Sequence, residues 1–429
     1  MKVISDFHIH GRFSRATSKS TTIPNLVKYA RMKGLHLLGT GDFTHPKWME
    51  ELKKYLYEDG TGILKTKDGF CFILQTEISL VYFQDGRLRK IHNLVLCPNF
   101  ETAEQITETL KKRGRVDYDG RPTFGIPSPE FVELMKSVDK RVEIIPAHIW
   151  TPWFGLFGAN SGFNSIEECF QDQTKHIFAL ETGLSSDPAM NWRLSALDKY
   201  TLVSNSDSHS HWPWRIGREA NVFEMKRLTY DDFIKIIKDK DPKKFLYTIE
   251  FFPEEGKYHL DGHRNCGVRL SPKESIKNKN ICPVCKKPLT IGVLHRVEEL
   301  ADREEGFIPK NAIPFRSLIP LSEIISYVTG ASQVSSQRVW KIYTKLIKAF
   351  GDEFTVLLEV PKEELLKITE EKIVDAVLKV REGKIRMEAG FDGKYGYPVF
   401  DEKTKPREIQ QNPRIQKSLT DFSISSTQL

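Results

Sequence analysis

Two short motifs, far apart in the first half of the chain, carry side chains that bind metal ions. They are Asp6-Phe-His8-Ile-His10 and Asp207-Ser-His209, and each follows an apolar run. Residues two apart on a strand point to the same side, so each motif presents its side chains on one face. Neutral imidazole is the commonest protein ligand for metals. The two motifs therefore predict one metal centre assembled from distant parts of the sequence.

Further apolar runs lead into or out of coordinating side chains. These are Asp42, Glu77, His92 and His148. A Gln84-Asp-Gly-Arg87 turn signal between Glu77 and His92 predicts a β-hairpin. Helical patterns separate the other strands, and this alternation favours a parallel sheet. Functional side chains at the carboxyl ends of such strands are typical of a (β/α) barrel.

In this order, the residues resemble the motifs of the polymerase-and-histidinol-phosphatase (PHP) phosphoesterases over about residues 1–240. The resemblance implies an α/β fold, a distorted (β/α)7 barrel, with two or three divalent ions. The implied ligands are His8, His10, Glu77 and Asp207 for one ion, bridging Glu77 with His92 and His148 for a second, and His209 with Asp42 for a third. His45 follows Asp42 closely, and Arg15 or a neighbour stands where the family has a further His.

This ligand set predicts phosphate-ester hydrolysis. Mixed oxygen and nitrogen donors suit Zn, Mn, Mg or Fe, and spacing does not choose among them. Clustered ions polarise a phosphoryl group and stabilise the leaving oxygen, so we expect Asp207, His209 and Glu77 to be catalytic. The chain has no Walker loop and no strand–GxSxG–helix pattern, which disfavours nucleotide-loop chemistry and acyl transfer.

Length and composition predict a soluble enzyme of several domains. The 429 residues are 39% apolar and 28% charged, with a formal net charge of +7. No apolar run approaches the roughly 18 residues of a membrane span, and no signal peptide precedes the first motif. We therefore expect a cytoplasmic protein without a membrane partner. The predicted domains are a phosphoesterase barrel (1–245), a zinc module (246–300), a mainly helical DNA-binding domain (301–400) and a disordered tail (401–429).

A second metal site is predicted in the middle of the chain. The ligand pairs His263-Arg-Asn-Cys266 and Cys282-Pro-Val-Cys285 have a spacing close to that of structural zinc sites. His259 is an alternative to His263, and His295 is a weaker one. Lys and Arg residues surround the module, as expected for contact with a phosphate backbone. From residue 318 to about 380 the pattern is helical, with breaks at Gly330 and Gly351, and indicates either a nucleic-acid-binding module or a plain packing domain.

Aromatic and basic residues crowd the loops near the predicted centre. Those we expect to contact DNA or an extruded base are Arg12, Arg15, Trp150, Trp153, Trp192, Arg193 and Trp214. Aromatic faces stack on unpaired bases, and enzymes that act on a base often extrude it from the helix. For any single Trp, packing of its loop is the favoured alternative.

Taken with the zinc module, the chain resembles the endonuclease Q family of archaeal DNA repair enzymes. Residues 257–266 and 282–302 carry this resemblance. It implies hydrolysis of the phosphodiester 5′ to a deaminated base (uracil, hypoxanthine or xanthine) or an abasic site, leaving a 3′-hydroxyl and a 5′-phosphate. Two alternatives stay open: a PHP-type phosphatase of a small phosphomonoester, and a non-catalytic nucleic-acid adaptor.

The last residues resemble the peptide motif that binds DNA sliding clamps. In that motif a Gln is followed at +3 by an aliphatic residue and at +6 and +7 by aromatic residues. Here the matching residues are Gln416, Leu419 and Phe422, and Ser423 replaces the second aromatic. The tail therefore predicts either a clamp-binding segment or a plain disordered end.

Overall fold

A mixed sheet of eleven strands forms the N-terminal scaffold in the computed structural model, which describes residues 1–401. The strands of the chain are β1 (Lys2–Asp6), β2 (Leu37–Gly39), β3 (Leu56–Tyr57), β4 (Leu64–Thr66), β5 (Cys71–Gln84), β6 (Arg87–Cys97), β7 (Thr123–Phe124), β8 (Glu143–Pro146), β9 (Ala179–Glu181), β10 (Thr201–Val203), β11 (Ala220–Glu224), β12 (Phe245–Glu250), β13 (Asp261–His263), β14 (Val268–Leu270), β15 (Phe315–Ser317), β16 (Arg386–Glu388) and β17 (Tyr397–Val399).

Helices follow most of these strands. They are α1 (Ile23–Lys33), α2 (Pro46–Tyr55), α3 (Phe100–Lys111), α4 (Ser128–Val138), α5 (Ile166–Phe170), α6 (Pro188–Asn191), α7 (Tyr230–Asp239), α8 (Pro272–Lys277), α9 (Val293–Leu300), α10 (Leu321–Thr329), α11 (Gln337–Phe350), α12 (Glu353–Leu358), α13 (Lys362–Leu366) and α14 (Glu371–Arg381). None of the helices within residues 1–401 has the length and apolar character needed to span a bilayer.

The α/β class is confirmed, but the strands are not all parallel. β1, β2 and β5 pair in parallel, as do β9 and β10. β11 runs antiparallel to both β1 and β12, and β6 runs antiparallel to both β5 and β8. The expectation of a parallel sheet therefore holds only for part of the scaffold, and its closure as a (β/α)7 barrel stays a prediction.

The predicted hairpin between Glu77 and His92 is present. β5 and β6 pair as far as Gln84 and Arg87, so a two-residue turn joins them. Both turn residues have positive φ, +52° for Asp85 and +71° for Gly86, which is the backbone that twisted hairpins favour. The inserted β6 strand brings His92 beside the Glu77 strand, and it also makes this part of the sheet antiparallel.

The middle of the chain is a small unit around two hairpins. β13 pairs with β14, β16 pairs with β17, and a bridge between Leu260 and Phe391 links the two. β12 continues to Glu250 and pairs with β11 and β15, so the main sheet extends past the predicted boundary at 245 and takes in a strand from after 300. Residues near 390 pack with the middle unit rather than with the helices.

Helices α10 to α14 form the predicted helical part, and Gly330 and Gly351 follow the ends of α10 and α11 as expected. A buried ion pair ties this part to the sheet scaffold, with Lys33 Nζ 2.7 Å from Glu353 Oε1. Glu353 also accepts hydrogen bonds from Tyr343 Oη at 2.9 Å and Leu321 N at 3.0 Å. Because these bonds satisfy the buried carboxylate, loss of Lys33 would leave an unpaired charge in the interface.

Candidate metal centre

Four predicted ligands converge where β1, β5 and the segment after β10 meet. One ligand atom from each of His8, His10, Glu77 and Asp207 lies within 4.8 Å of the others. His10 Nε2 is 3.1 Å from both Glu77 Oε2 and Asp207 Oδ1. His8 Nε2 is fully buried and has no hydrogen-bond partner among residues 1–401. A buried donor set with an unpartnered imidazole nitrogen fits a divalent cation.

A second set adjoins the first through Glu77. His92 Nδ1 is 2.7 Å and His148 Nε2 is 3.0 Å from Glu77 Oε1, the carboxylate oxygen that faces away from His10. The two oxygens of Glu77 are therefore divided between two candidate sites. This arrangement agrees with the bridging role that the family resemblance implies for Glu77. We call the six residues of both sets the metal centre.

Outer hydrogen bonds fix the orientation of the imidazoles. His8 Nδ1 donates to Glu181 at 3.0 Å, and His10 Nδ1 donates to Asp42 Oδ1 at 2.9 Å. In these tautomers Nε2 of each ring carries a lone pair toward the centre, which is the usual arrangement of metal-binding His. Asp42 Oδ2 also accepts from Gly11 N at 2.6 Å. Both of its oxygens are thus engaged in support of His10, and a role as ligand to a third ion stays a prediction.

The backbone is strained at three of the predicted residues. Asp42, His148 and Asp207 have φ values of +35°, +32° and +47°. Residues other than Gly rarely adopt this region, and it costs on the order of 1–3 kcal/mol at each position. Each of the three residues follows a strand and contacts the metal centre or its support. The strain therefore lies where the fold aims side chains into one point.

The charge states suit cation binding. Burial alone would raise the pKa of Glu77 and of Asp207, but contacts with neighbouring groups, chiefly His92 and Arg121 for Glu77 and His8 for Asp207, bring both pKa values below their ordinary range. Burial lowers the pKa of His92 to about 3. Against the effect of burial, Glu181 and Asp42 raise the pKa values of His8 and His10. The carboxylates of Glu77 and Asp207 are therefore ionised, as ligands of a cation must be.

One side of the centre is open to solvent. The side chains of Asp207, His209 and Arg121 are 27%, 28% and 27% exposed, whereas those of His8, His10 and Glu77 are completely buried. His209 Nδ1 donates to the Asp207 carbonyl oxygen at 3.1 Å, and its ring lies 4.3 Å from that of His10. These exposed groups define the mouth through which a substrate reaches the centre.

Sequence reasoning missed one supporting side chain and one basic residue. Glu181 accepts from His8, from His148 N at 2.9 Å and from Asn205 Nδ2 at 2.9 Å, so it holds both halves of the centre. Arg121 Nη1 donates to Glu77 Oε2 at 3.0 Å. Glu181 is the last residue of β9, so its position at a strand end could have identified it from the sequence. Arg121 lies in a loop, where spacing gives no signal.

The Cys–His cluster consists of four residues, and its ligand atoms lie within 4.8 Å of one another. They are His263, Cys266, Cys282 and Cys285. Desolvation opposes ionisation, but backbone N–H groups of Cys285 and Val284 bring the pKa of the Cys282 thiol to about 7. Neither alternative ligand joins the cluster, because His295 Nδ1 bonds Asp261 at 2.6 Å and His259 is buried elsewhere. Four clustered sulfur and nitrogen donors fit a structural zinc ion.

The residues predicted to contact DNA have mixed locations. Trp150 is buried and donates to Asn191 at 2.8 Å, so the expectation that its ring stacks on a base is corrected by its burial. Arg193 pairs with Glu298 at 2.7 Å across the junction with α9, where both side chains are largely buried. It therefore joins two parts of the chain. Trp192 packs on Phe315 with ring centroids 5.6 Å apart.

The remaining predicted contact residues are nearer to solvent or to a cavity. Arg12 pairs with Glu51 at 2.7 Å, and Arg15, which is mostly exposed, pairs with Asp119 at 3.3 Å. Trp153 is exposed, and Trp214 is mostly buried with its ring stacked on Trp212. The proposed clamp-binding residues Gln416, Leu419 and Phe422 lie outside the described residues.

A cavity of about 720 Å³ opens beside the metal centre, between the sheet scaffold, the Cys–His unit and the helices. Thr151, whose hydroxyl lies 3.0 Å from His148 Nδ1, forms part of its wall. Trp214, Arg218 and His259 are among the other lining residues. Arg218 Nε and His259 Nδ1 are buried without a hydrogen-bond partner in residues 1–401. The cavity wall therefore combines aromatic rings with polar and cationic side chains.

Comparison with known proteins agrees with this architecture. A lesion-specific endonuclease from Pyrococcus furiosus, PfuEndoQ, superposes with a TM-score of 0.84 and 32% identity over 97% of this chain and 100% of that one. An endonuclease Q bound to a 27-mer duplex with an abasic lesion at its active site superposes with a TM-score of 0.82 and 32% identity, over 96% of this chain and 100% of the other.

Sequence relatives include two uncharacterized proteins. YqxK of Bacillus subtilis is 30% identical over 92% of this chain and 98% of its own length. MJ0043 of Methanocaldococcus jannaschii is 34% identical over 61% of this chain, and the matched region is 32% of that longer protein. Residues 320–384 match the family model of the MJ0043 C-terminal domain. An archaeal origin stays a prediction. The identity and full coverage of PfuEndoQ show that this chain belongs to the endonuclease Q family.

Proposed function

We propose that this protein is a metal-dependent DNA repair endonuclease that hydrolyses the phosphodiester 5′ to a deaminated base or an abasic site. The observation that carries the proposal is the metal centre, in which Glu77 divides its two oxygens between two adjoining donor sets beside an open mouth. Membership of the endonuclease Q family supports DNA as the substrate. The abasic duplex bound by a relative supports a damaged strand.

Residues of the chain have three roles in this reaction: they bind the ions, orient the metal-binding imidazoles and exchange a proton. His8, His10, Glu77 and Asp207 would hold one divalent ion, and Glu77, His92 and His148 a second. Such ions, when bound, polarise the phosphate and ease ionisation of water. Glu181 and Asp42 fix the imidazoles, so no reorganisation is needed when substrate arrives. His209, at the mouth, is neutral because burial lowers its pKa to about 4, and it is placed to exchange a proton with the reacting groups.

The bond changes follow from the products that the family resemblance implies. An oxygen from water forms a bond to phosphorus, and the bond between phosphorus and the 3′-oxygen breaks. The 3′-oxygen takes up a proton, the water gives one to solvent, and the lesion nucleotide keeps a 5′-phosphate. Mg, Mn and Zn each fit the donor set. In the three-ion alternative that the family resemblance implies, His209 and Asp42 would be ligands, and His209 would not exchange a proton.

The cavity next to the metal centre supports extrusion of the lesion nucleotide. Deamination replaces an exocyclic amino group by a carbonyl oxygen, which accepts hydrogen bonds. Burial lowers the pKa of Arg218 to about 10, so this guanidinium still carries its charge at neutral pH and can donate to such an oxygen. Trp214 and Tyr258 provide aromatic wall for stacking. The Cys–His cluster would hold one structural zinc, and the Lys side chains around it would contact the phosphate backbone.

The direct test compares three substrates in the presence of Mg²⁺, Mn²⁺ or Zn²⁺. Duplexes with a single uracil, hypoxanthine or abasic site should be cut once, and the product ends should be a 3′-hydroxyl and a 5′-phosphate. The same duplex without a lesion should stay intact. Hydrolysis of small phosphomonoesters in place of lesion DNA would favour the phosphatase alternative, and binding without hydrolysis would favour the adaptor.

We also propose that the tail binds a DNA sliding clamp through Gln416, Leu419 and Phe422, a proposal that rests on the sequence alone. A short helix formed on the clamp would place Leu419 and Phe422 in an apolar groove. With Ser423 in place of the second aromatic, affinity should be roughly micromolar. A peptide of residues 414–429 should bind the cognate clamp in calorimetry, and Leu419→Ala with Phe422→Ala should abolish binding without changing cleavage by the enzyme alone. Unchanged clamp binding by the double variant would refute the proposal that these residues bind the clamp.

A further inference from the structure

Arg121 lies at the metal centre although it belongs to neither donor set. Its Nη1 is 3.0 Å from Glu77 Oε2, and its side chain is 27% exposed beside a completely buried Glu77. The guanidinium therefore contacts the carboxylate that both donor sets share, and part of the Arg121 side chain is exposed at the mouth. Among the Arg and Lys residues within 1–401, only Arg121 forms an ion pair with a member of the metal centre.

The position of Arg121 is fixed from both sides along the chain. On one side, Asp119 Oδ1 accepts from Arg121 N at 3.2 Å and from Arg15 N at 3.1 Å, which ties this turn to the loop after β1. On the other side, Pro122 O accepts from Ser79 N at 3.0 Å, and β7 then pairs with β5, the strand of Glu77. A turn held in this way presents its side chain in a defined place.

Gly120 allows the turn to approach the metal centre closely. A β-carbon at this position would collide with Asp42 Oδ2 and would lie 2.9 Å from the Ser14 β-carbon. Asp42 is the residue that orients His10. Because only glycine fits, the sequence Asp119-Gly-Arg121 packs against the support of the metal ligands. The Arg121 turn is therefore part of the same assembly as the ligands.

Once cations occupy the donor sets, Glu77 can no longer neutralise the charge of the Arg121 guanidinium. Glu77 Oε2 is also the oxygen that faces His8 and His10, so a bound ion would take its charge. A guanidinium next to divalent cations needs another anion, and its five N–H donors match the oxygens of a phosphate. The anion that reaches this mouth in the proposed reaction is the phosphodiester itself.

We propose that Arg121 is a catalytic residue that binds a non-bridging oxygen of the scissile phosphate. In the transition state, the bond from water oxygen to phosphorus forms while the bond to the 3′-oxygen breaks, and negative charge spreads over the non-bridging oxygens. A fixed guanidinium beside them stabilises this charge more than it stabilises the ground state. The inference rests on the proposed endonuclease function. Arg12 and Arg15 are placed differently, because their ion-pair partners, Glu51 and Asp119, are not members of the metal centre.

The test uses Arg121→Ala and Arg121→Lys, with Arg115→Ala as the matched control. Arg115 lies on the same loop, is exposed and pairs with Asp117. Three quantities are measured for each variant: divalent-metal affinity by calorimetry, affinity for an uncleaved lesion duplex in Ca²⁺, and the single-turnover cleavage rate. We expect Arg121→Ala to bind metal at least as tightly as the wild type, since a nearby positive charge is gone. Its cleavage rate should fall by roughly 100-fold.

Two further readouts separate direct contact with phosphate from a packing role. Added guanidinium should restore part of the rate of Arg121→Ala, and Arg121→Lys should keep an intermediate rate. A stereospecific phosphorothioate at the scissile phosphate should slow the wild type more than it slows Arg121→Ala, because the variant has already lost the contact. Arg115→Ala should match the wild type in all measurements.

Some results would overturn the inference. Wild-type cleavage by Arg121→Ala would do so while leaving the endonuclease function intact. A loss of rate that follows a loss of bound metal, or an unchanged phosphorothioate effect, would show that Arg121 only supports Glu77. A wild-type enzyme that leaves every lesion duplex uncut would refute the proposed function and the role of Arg121 together.

Discussion

The metal centre and the Cys–His cluster are both candidate metal sites, but the chain positions their ligands differently. Ligands of the metal centre come from strands and from the loops that follow them, between His8 and Asp207, and are mostly buried. Those of the cluster lie close together in the sequence, between His263 and Cys285, and are half-buried except for Cys282, which is buried. Outer partners such as Glu181 fix the metal centre before any ion binds. The Cys–His unit leaves Val284 66% exposed and Ile276 51% exposed, so it has little apolar core of its own.

This contrast indicates what each ion contributes. At the metal centre the fold positions the ligands, and the ion supplies chemistry. At the Cys–His cluster the ion replaces a missing core, as structural zinc does in small modules. Loss of an ion should therefore abolish activity at the first site and stability at the second.

The largest effect is expected for Asp207→Asn. This change keeps the shape of the side chain but removes the charge that faces His8 and His10. We predict a fall of roughly a thousandfold or more in single-turnover cleavage of lesion duplex, about 4 kcal/mol of transition-state stabilisation. The melting temperature and the affinity for lesion DNA should change little.

His176→Ala is the matched control for Asp207→Asn, because His176 is a solvent-accessible residue away from the centre, and it should keep full activity. His36 is not suitable as a control, since its Nδ1 accepts a hydrogen bond from Ile4 N at 3.2 Å and supports β1. Near-wild-type cleavage by Asp207→Asn would refute the assignment of this ligand.

Replacement of Cys282 by Ser should affect the Cys–His cluster and leave the chemistry of the metal centre intact. We predict release of one zinc ion and a melting temperature lower by about 5 °C or more for the affected unit, because metal binding is coupled to folding. Affinity for duplex DNA should fall, while hydrolysis of a small activated phosphodiester stays near the wild-type rate. Cys71→Ser, at a half-buried thiol in β5, should leave the zinc content unchanged. Zinc-free wild-type protein would contradict the assignment of the cluster.

Glu181→Gln tests the outer support of the metal centre. The carboxylate accepts from His8 Nδ1, His148 N and Asn205 Nδ2, and an amide cannot accept all three bonds. We predict metal affinity weaker by roughly 10–100-fold, with activity restored at high metal concentration. Glu168→Gln, on an exposed part of α5, is the control. Cleavage that stays low at saturating metal would instead assign Glu181 a direct role in the chemistry.

The smallest effect is on the pH dependence of stability. Burial raises the pKa of Glu250 from 4.5 to about 8, against the hydroxyls of Thr248 and Ser204, which lower it. The folded state thus holds a proton that the unfolded chain has lost above about pH 4.5. Stability should fall as pH rises from 6 to 8, by at most about 1.4 kcal/mol per pH unit from this group.

Glu250→Gln keeps a neutral side chain at this site and should reduce the pH dependence, as measured by urea unfolding at pH 6, 7 and 8. The remainder is expected from Glu219, whose pKa is also raised, by burial and by Glu250. The opposite trend is expected at the Cys–His cluster, where acid protonates the ligands and releases the ion. An equally steep pH dependence in Glu250→Gln would show that another group is responsible.

Much of the metal centre could be predicted because strand alternation and strand ends leave a pattern in the sequence. His8, His10, Glu77, His92, His148 and Asp207 come together as expected. The role of Asp42 could not be settled in the same way, since a ligand and a hydrogen-bond partner of a ligand have the same residue type and position. Arg121 gave no signal because a loop, with no period, brings it to Glu77.

Burial could not be predicted for individual aromatic residues. Trp150 and Trp153 lie in the same loop, yet one is in the core and the other is exposed. The antiparallel strands were missed for a related reason: the β5–β6 hairpin was recognised, but its strands pair with the main sheet on one side and with β8 on the other. Pairing partners far apart in sequence depend on packing, which a local pattern does not encode.

The most direct test of the central claim is a count of bound metal in Glu77→Gln, made on the same preparation as a cleavage assay. Glu77 is the residue that both donor sets share, so we predict that this variant loses the ions of the metal centre and all cleavage of lesion duplex, yet keeps one zinc in the Cys–His cluster. Retention of both ions at the metal centre, or cleavage without them, would contradict a centre built around Glu77.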